Sequence, residues 1–296
     1  MKILNLLNRF RFLVFAATLS TFGGVIHAEP PVSPFYAAVM KMAPEGKLGQ
    51  VIKQESIATA VKGAQAWKIA YISSDISGRK TIATALVVAP VGPTPSGGRP
   101  VMTWAHGTTG AAQNCGPSQV TDPAVPLNEY FLIGGNSWTD YGIPSLEEFI
   151  KEGYVLVATD YQGLGGGGRH QYSVAATNGM DTLNAARAAI SMKETGANKK
   201  TLVYGWSQGG GATIALAGMP DYIKQSGTVA DNLDIIGFVA LAPQDISILA
   251  PSGKLDQAAA DKFFQGSQKM FLDNVFNFTH ATMYYWGTQA DRKSTR

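Results

Sequence analysis

Cysteine is nearly absent from this 296-residue chain, where Cys115 stands alone. A lone cysteine closes no disulfide within the chain, so it reads as a free buried thiol or as one that has lost its partner. Histidine is scarce as well, with four in all. No Cys/His cluster has the spacing that metal ligands need, and neither a metal site nor a cofactor is expected. Repeats and low-complexity tracts are missing. The nearest approach, Gly165-Gly166-Gly167-Gly168, is not followed by the Gly-Lys-Ser/Thr of a phosphate cradle and reads as a mobile loop. Charge is sparse, at 15% Asp, Glu, Lys and Arg. The formal excess of +3 rests on Lys2, Arg9 and Arg11, and no acid lies in residues 1–28, so residues 29–296 balance. A balanced chain carries no electrostatic footprint for a nucleic-acid partner.

Long apolar runs are lacking too. The uncharged stretch Phe12–Ile26 is short beside the roughly 20 residues that a helix needs to cross a bilayer. Basic residues precede it, and Ala28 stands before Glu29-Pro30-Pro31. That is the pattern of a secretory signal cleaved after Ala28, with an uncleaved anchor as the competing reading. A secreted or periplasmic protein with no permanent membrane span is expected.

What the chain does have is 45% apolar residues, enough for one full core or a core plus a cap. Residues 30–56 are rich in proline and small residues and read as an extension that wraps before the sheet begins. Trp67–Ser73 alternates like an edge strand, and Thr81–Ala89 pairs with it as an antiparallel hairpin across the turn Ser77-Gly78-Arg79. Pro100–Ala105 is a buried strand. Pro144–Lys151 is helical, Gly153–Thr159 a strand and Val174–Glu194 a helix. Thr201–Trp206 and Ile235–Ala242 are further strands. Strands alternating with helices predict a mostly parallel sheet with crossover helices.

Two motifs carry chemistry. The strand Thr201-Leu202-Val203-Tyr204 runs into Gly205-Trp206-Ser207-Gln208-Gly209, a G-x-S-x-G turn followed by Gly210, Gly211 and Ala212 at a helix start. This is the nucleophile elbow of α/β-hydrolases, which raises a serine hydroxyl above the carboxyl end of the sheet. Glycines allow strand and helix to approach closely there. The helix start directs backbone N–H groups toward a developing oxyanion, and Gln208 is the expected first donor. The second motif, His106-Gly107-Thr108-Thr109-Gly110, follows the Pro100–Ala105 strand, where such folds place the second donor. Thr108 is the candidate through its N–H, with Thr109 as the alternative. His106 precedes the serine, the wrong chain order for the base, and reads as a loop anchor. His170, also upstream, reads as a loop or pocket residue beside Asp160.

With these motifs and Thr159-Asp160-Tyr161-Gln162-Gly163-Leu164-Gly165, the chain resembles the secretory lipase family of α/β-hydrolases over roughly residues 60–245. The resemblance implies a serine hydrolase of carboxylic esters, acting on acylglycerols or similar lipid esters, with a helical cap after the sixth strand. Domains are then expected at 1–28 (signal), 29–243 (α/β-hydrolase core) and 244–296 (start of a partial cap). Phe263, Phe264, Phe271 and Phe276 in the cap are candidates for binding the acyl chain. In the family two more strands follow, then the acid and the histidine. Those strands are not legible here, and the expectation is that the chain stops within the cap. Asp245 and His280 are the acid and base candidates that this chain offers. A protein that binds an apolar ligand without turnover is the main alternative function, and a serine peptidase of the same fold the next.

Overall fold

The computed structural model describes residues 32–119, 122, 142–244, 256, 258, 261, 262, 265, 280, 282–284, 286 and 287. Pro34–Arg296 forms one unit, separate from Met1–Ser33. The proposed signal, Asp245 and the four cap phenylalanines Phe263, Phe264, Phe271 and Phe276 lie outside the described residues.

After helix α1 (Pro34–Val39) come strands β1 (Val51–Ile57), β2 (Ala64–Ser74), β3 (Lys80–Pro90) and β4 (Arg99–Ala105). Helix α2 (Leu146–Lys151), strand β5 (Val155–Gln162), helix α3 (Ala175–Ser191) and strand β6 (Ala197–Trp206) follow. Helices α4 (Gln208–Ala217) and α5 (Pro220–Ile223) then lead to strand β7 (Asp234–Leu241). The seven strands form one mixed sheet in the order β1-β2-β3-β5-β4-β6-β7. The three pairings from β1 to β5 are antiparallel and those of β5, β4, β6 and β7 are parallel, so β2, β4, β5, β6 and β7 share one direction. The expected hairpin is present, with β2 and β3 paired without a break from Ala64↔Pro90 to Ser74↔Lys80.

Both faces of the sheet are covered, as a parallel sheet requires. On one face Ile69, Ala85, Val87, Val101 and Val157 pack against Ala185, Ala186, Ala188 and Ala189 of α3. On the other Leu86, Val88, Met102, Trp104 and Leu156 pack against Leu146 and Ile150 of α2. Consecutive residues such as Val87 and Val88 enter opposite cores because strand side chains alternate. Chain order jumps from β3 to β4 and back to β5, so the crevice of this fold opens beside β4, at the carboxyl ends of β4 and β6.

Three expectations are corrected. Trp67–Ser73 lies in an interior strand, not an edge, because β1 pairs outside it. Residues 51–57 read as extension since Val-Ile-Lys-Gln-Glu-Ser-Ile lacks clean alternation; its middle faces solvent and a register shift interrupts it between Val51 and Lys53. The strand expected to end at Thr159 continues to Gln162, with Asp160 as the extra residue opposite the step from Thr84 to Ala85. At the far side, among the described residues, β7 has only β6 as its neighbour in the sheet.

Candidate active site

β4 and β6 run in register, with Ala105 opposite Gly205. The loop after one and the turn after the other therefore leave the sheet side by side. Ser207 stands at that turn with φ 54° and ψ −116°, a region that L residues avoid. A serine before a helix ordinarily caps it; here the hydroxyl makes no cap bond to α4. The turn is held by backbone bonds instead. Ser207 N donates to Leu241 O at 3.0 Å, and Ser207 O accepts from Gly211 N at 3.0 Å and Gln244 N at 2.8 Å. Close approach explains the glycines. A Cβ on Gly209 would lie 1.8 Å from Ala105 O, and one on Gly107 would lie 2.3 Å from the Trp206 ring and 3.5 Å from Ser207 Cβ.

Gln208 opens α4, where the first N–H groups have no partner within the helix. Neither its N–H nor that of Thr108 has a hydrogen-bond acceptor among the described residues. Both candidates are thus placed on the two segments that flank Ser207. The Gln208 side chain is 2% exposed, and its Nε2 donates to His170 Nε2 at 3.0 Å and Asn178 Oδ1 at 3.1 Å. Thr108 Oγ1 lies 2.9 Å from Tyr172 Oη. The alternative donor, Thr109, is buried with its hydroxyl unpartnered among the described residues.

The histidines divide cleanly. His106 is fully buried; its Nδ1 donates to Gly107 O at 2.5 Å, and its carbonyl accepts from Tyr161 Oη at 2.9 Å. Burial pushes its imidazole down to about 3. It anchors the loop, as its place before the serine implied. His170 is also buried; Nδ1 donates to Gln162 O at 3.0 Å, and burial pushes it down to about 4. It faces the elbow through Gln208, a closer involvement than a loop or pocket role. Asp160 serves the scaffold. Its carboxylate accepts from Thr84 Oγ1 at 2.6 Å, Ser118 N at 2.8 Å and Ser118 Oγ at 2.5 Å, pinning residues 117–119 to the sheet.

His280 is helical and half-buried, with its ring 6.3 Å from that of Tyr172. The same short stretch is tied to the segment after β5 at several points. Tyr284 stacks edge-on with Tyr172 at 5.1 Å, Arg169 sits 4.6 Å over the Trp286 ring, and a Cβ on Gly287 would lie 2.5 Å from Tyr172 O. Gln244 Nε2 donates to both Tyr172 Oη and Tyr284 Oη. The importance of Tyr172 and Gln244 was not legible in the sequence. For Asn178 a signal existed, since α3 carries Asn178, Asp181 and Asn184 among its alanines and all three are buried.

The strand order, the crossover at β4 and a strained serine on a strand-to-helix turn define an α/β-hydrolase fold. Within that class the chain resembles the secretory lipases, whose family model matches residues 136–249. No curated protein matches the chain. Among solved structures it is similar to lipase A of Candida antarctica in its closed state, at 19% identity over 66% of this chain and 44% of that one, with a TM-score of 0.47. It is also similar to the rice cell wall degrading esterase LipA of Xanthomonas oryzae, at 21% identity over 61% of this chain and 48% of that one, with a TM-score of 0.45. The chain thus spans about half the length of these proteins.

Proposed function

We propose that Ser207 is the nucleophile of a secreted or periplasmic carboxylic ester hydrolase that acts on lipid esters such as acylglycerols. The observation that carries this reading is the backbone of Ser207. A serine held at positive φ, with its hydroxyl released from capping, stores strain at the point where the chemistry would occur. In the reaction Ser207 Oγ bonds to the ester carbon while a base takes its proton. The carbonyl oxygen becomes an oxyanion held by the N–H groups of Gln208 and Thr108. The alcohol leaves with that proton, and water then cleaves the acyl-enzyme.

The base is a histidine in this class of enzyme. His106 and His170 are buried and bonded elsewhere, so His280, beside Tyr172, is the candidate this chain offers, with Asp245 as its acid. Phe263, Phe264, Phe271 and Phe276 are the proposed acyl-chain contacts, on their aromatic density in the sequence. The test is labelling with a fluorophosphonate probe together with hydrolysis of a p-nitrophenyl ester. Labelling at Ser207, and loss of both signals in Ser207→Ala, is the expected result. Turnover that persists in Ser207→Ala would sink the assignment. A folded protein that binds fatty acid but leaves the probe untouched would support ligand binding without turnover.

A further inference from the structure

Behind the elbow lies a buried line of hydrogen bonds whose direction is forced. At one end Gln162 O, a carbonyl, can only accept, so His170 Nδ1 carries the proton. His170 Nε2 is then bare and accepts from Gln208 Nε2. The second hydrogen of that amide goes to Asn178 Oδ1, and Asn178 Nδ2 lies 3.5 Å from Gln171 O, the carbonyl at the other end. Every member is at most 3% exposed save Gln162, at 7%; among the described residues Gln208 Oε1 and the Gln162 side-chain Oε1 are left without a partner. The His170 ring is stacked on Tyr161 at 5.8 Å, with 19° between planes.

We infer that His170, with Asn178, positions Gln208, and through it the backbone N–H that would hold the oxyanion beside Ser207. The inference rests on the reading of Ser207 as nucleophile. A side chain fixed at both hydrogens of its amide lets its own backbone turn very little, and α4 begins at this residue. A hydrophobic residue at 208 would fill the space but leave His170 Nε2 and Asn178 Oδ1 unpaired in a dry interior, which is costly for each group. The arrangement requires a neutral imidazole, because an imidazolium would present a second N–H to the Gln208 amide hydrogens. The surroundings favour that state. The groups facing the ring are Gln162 and Tyr161 from β5, Gln208 from α4, and Tyr172, whose ring is 6.2 Å away; Asn178 of α3 reaches it through Gln208. The nearby titratable ring of His106 is itself buried and depressed, and the burial that excludes water holds His170 down to about 4.

The test uses the full chain with 15N-labelled histidine and two variants. His170→Phe keeps a ring on Tyr161 but removes the acceptor; His170→Gln supplies an amide oxygen to accept the same hydrogen. At pH 7 His170 is expected to show one protonated nitrogen, Nδ1, and one bare nitrogen, Nε2, whose resonance shifts in Gln208→Leu. In folded His170→Phe, labelling of Ser207 by the fluorophosphonate should slow about tenfold or more, with the probe's saturation constant nearly unchanged. His170→Gln should recover most of that rate. Labelling at the original rate in folded His170→Phe, or an equal loss in both variants, overturns the inference. If the unaltered chain is not labelled at Ser207, the nucleophile reading fails. The positioning claim is then decided by the Gln208 backbone amide resonance, which must move in His170→Phe and stay in place in His170→Gln. An amide resonance that moves in neither variant, or equally in both, overturns it.

Discussion

Ser207 at φ 54° and ψ −116° carries a conformational cost of about 1–3 kcal/mol. Glycine tolerates that conformation, and its own entropic disadvantage is about 0.5–1 kcal/mol. Ser207→Gly should therefore raise the urea unfolding free energy by about 1 kcal/mol while abolishing probe labelling. A loss of stability in that variant would mean that the hydroxyl holds structure and the turn is unstrained. This residue was legible because its requirement is a backbone one, written in the glycines around it. His170 was not. Its role depends on Gln208 and Asn178, 38 and 8 residues further along the chain, and no local pattern in the sequence encodes a hydrogen bond between elements.

The packing of α4 on β4 depends on a residue with no side chain. A Cβ on Gly209 would press on two carbonyls, Ala105 O at 1.8 Å and His106 O at 2.7 Å, and neither is a flexible side-chain end that could swing aside. Gly209→Ala should cost about 3 kcal/mol, read as a fall in the urea midpoint, and should reduce labelling of Ser207 beyond what the lost stability explains. A melting temperature equal to the parent's would show that α4 can shift. The strands and helices from β2 to β7, the short α5 apart, were legible from their periodicity and their glycine and proline breaks. β1 was missed because its burial is one-sided and broken. The run expected as the strand Ile235–Ala242 is the strand Asp234–Leu241, yet Ile236, Phe238, Val239 and Leu241 are all exposed. Hydrophobicity in sequence states what a strand could bury, whereas exposure depends on what the rest of the chain places beside it. An edge of this kind is an aggregation hazard.

At the scale of the molecule, buried titratable groups set opposing limits on stability. His106 and His170, held down to about 3 and about 4, stabilise the fold fully above the ordinary histidine value of 6.5. That contribution is lost as pH falls toward their folded values, about 3 kcal/mol of it at His170 alone. Asp181 acts in the other direction. Burial raises its carboxyl to about 7, so its contribution is complete below the ordinary 3.8 and disappears as pH rises to 7, a change of about 4 kcal/mol. Buried Asp160 is raised as well. Urea midpoints measured between pH 4 and 9 should therefore fall on both sides of a maximum. Asp181→Asn should steepen the rise from pH 4 to about 6.5, where the two histidines outweigh it, and remove the decline from there to pH 7; His170→Gln should flatten the acid limb. An alkaline decline unchanged in Asp181→Asn would place its cause elsewhere.

The bonds at Ser207 also order events in time. Of its backbone partners only Gly211 is local; Leu241 and Gln244 lie beyond α5, at the end of β7 and just after it. On a ribosome releasing the chain from its amino end, β2 to β5 and the whole G-x-S-x-G sequence emerge well before these two residues. Until they arrive the turn has the local bond from Gly211 but neither of its two distant ones. The strain at the nucleophile thus depends on residues made after the elbow itself, and β7, the last described strand, is the one whose end holds it.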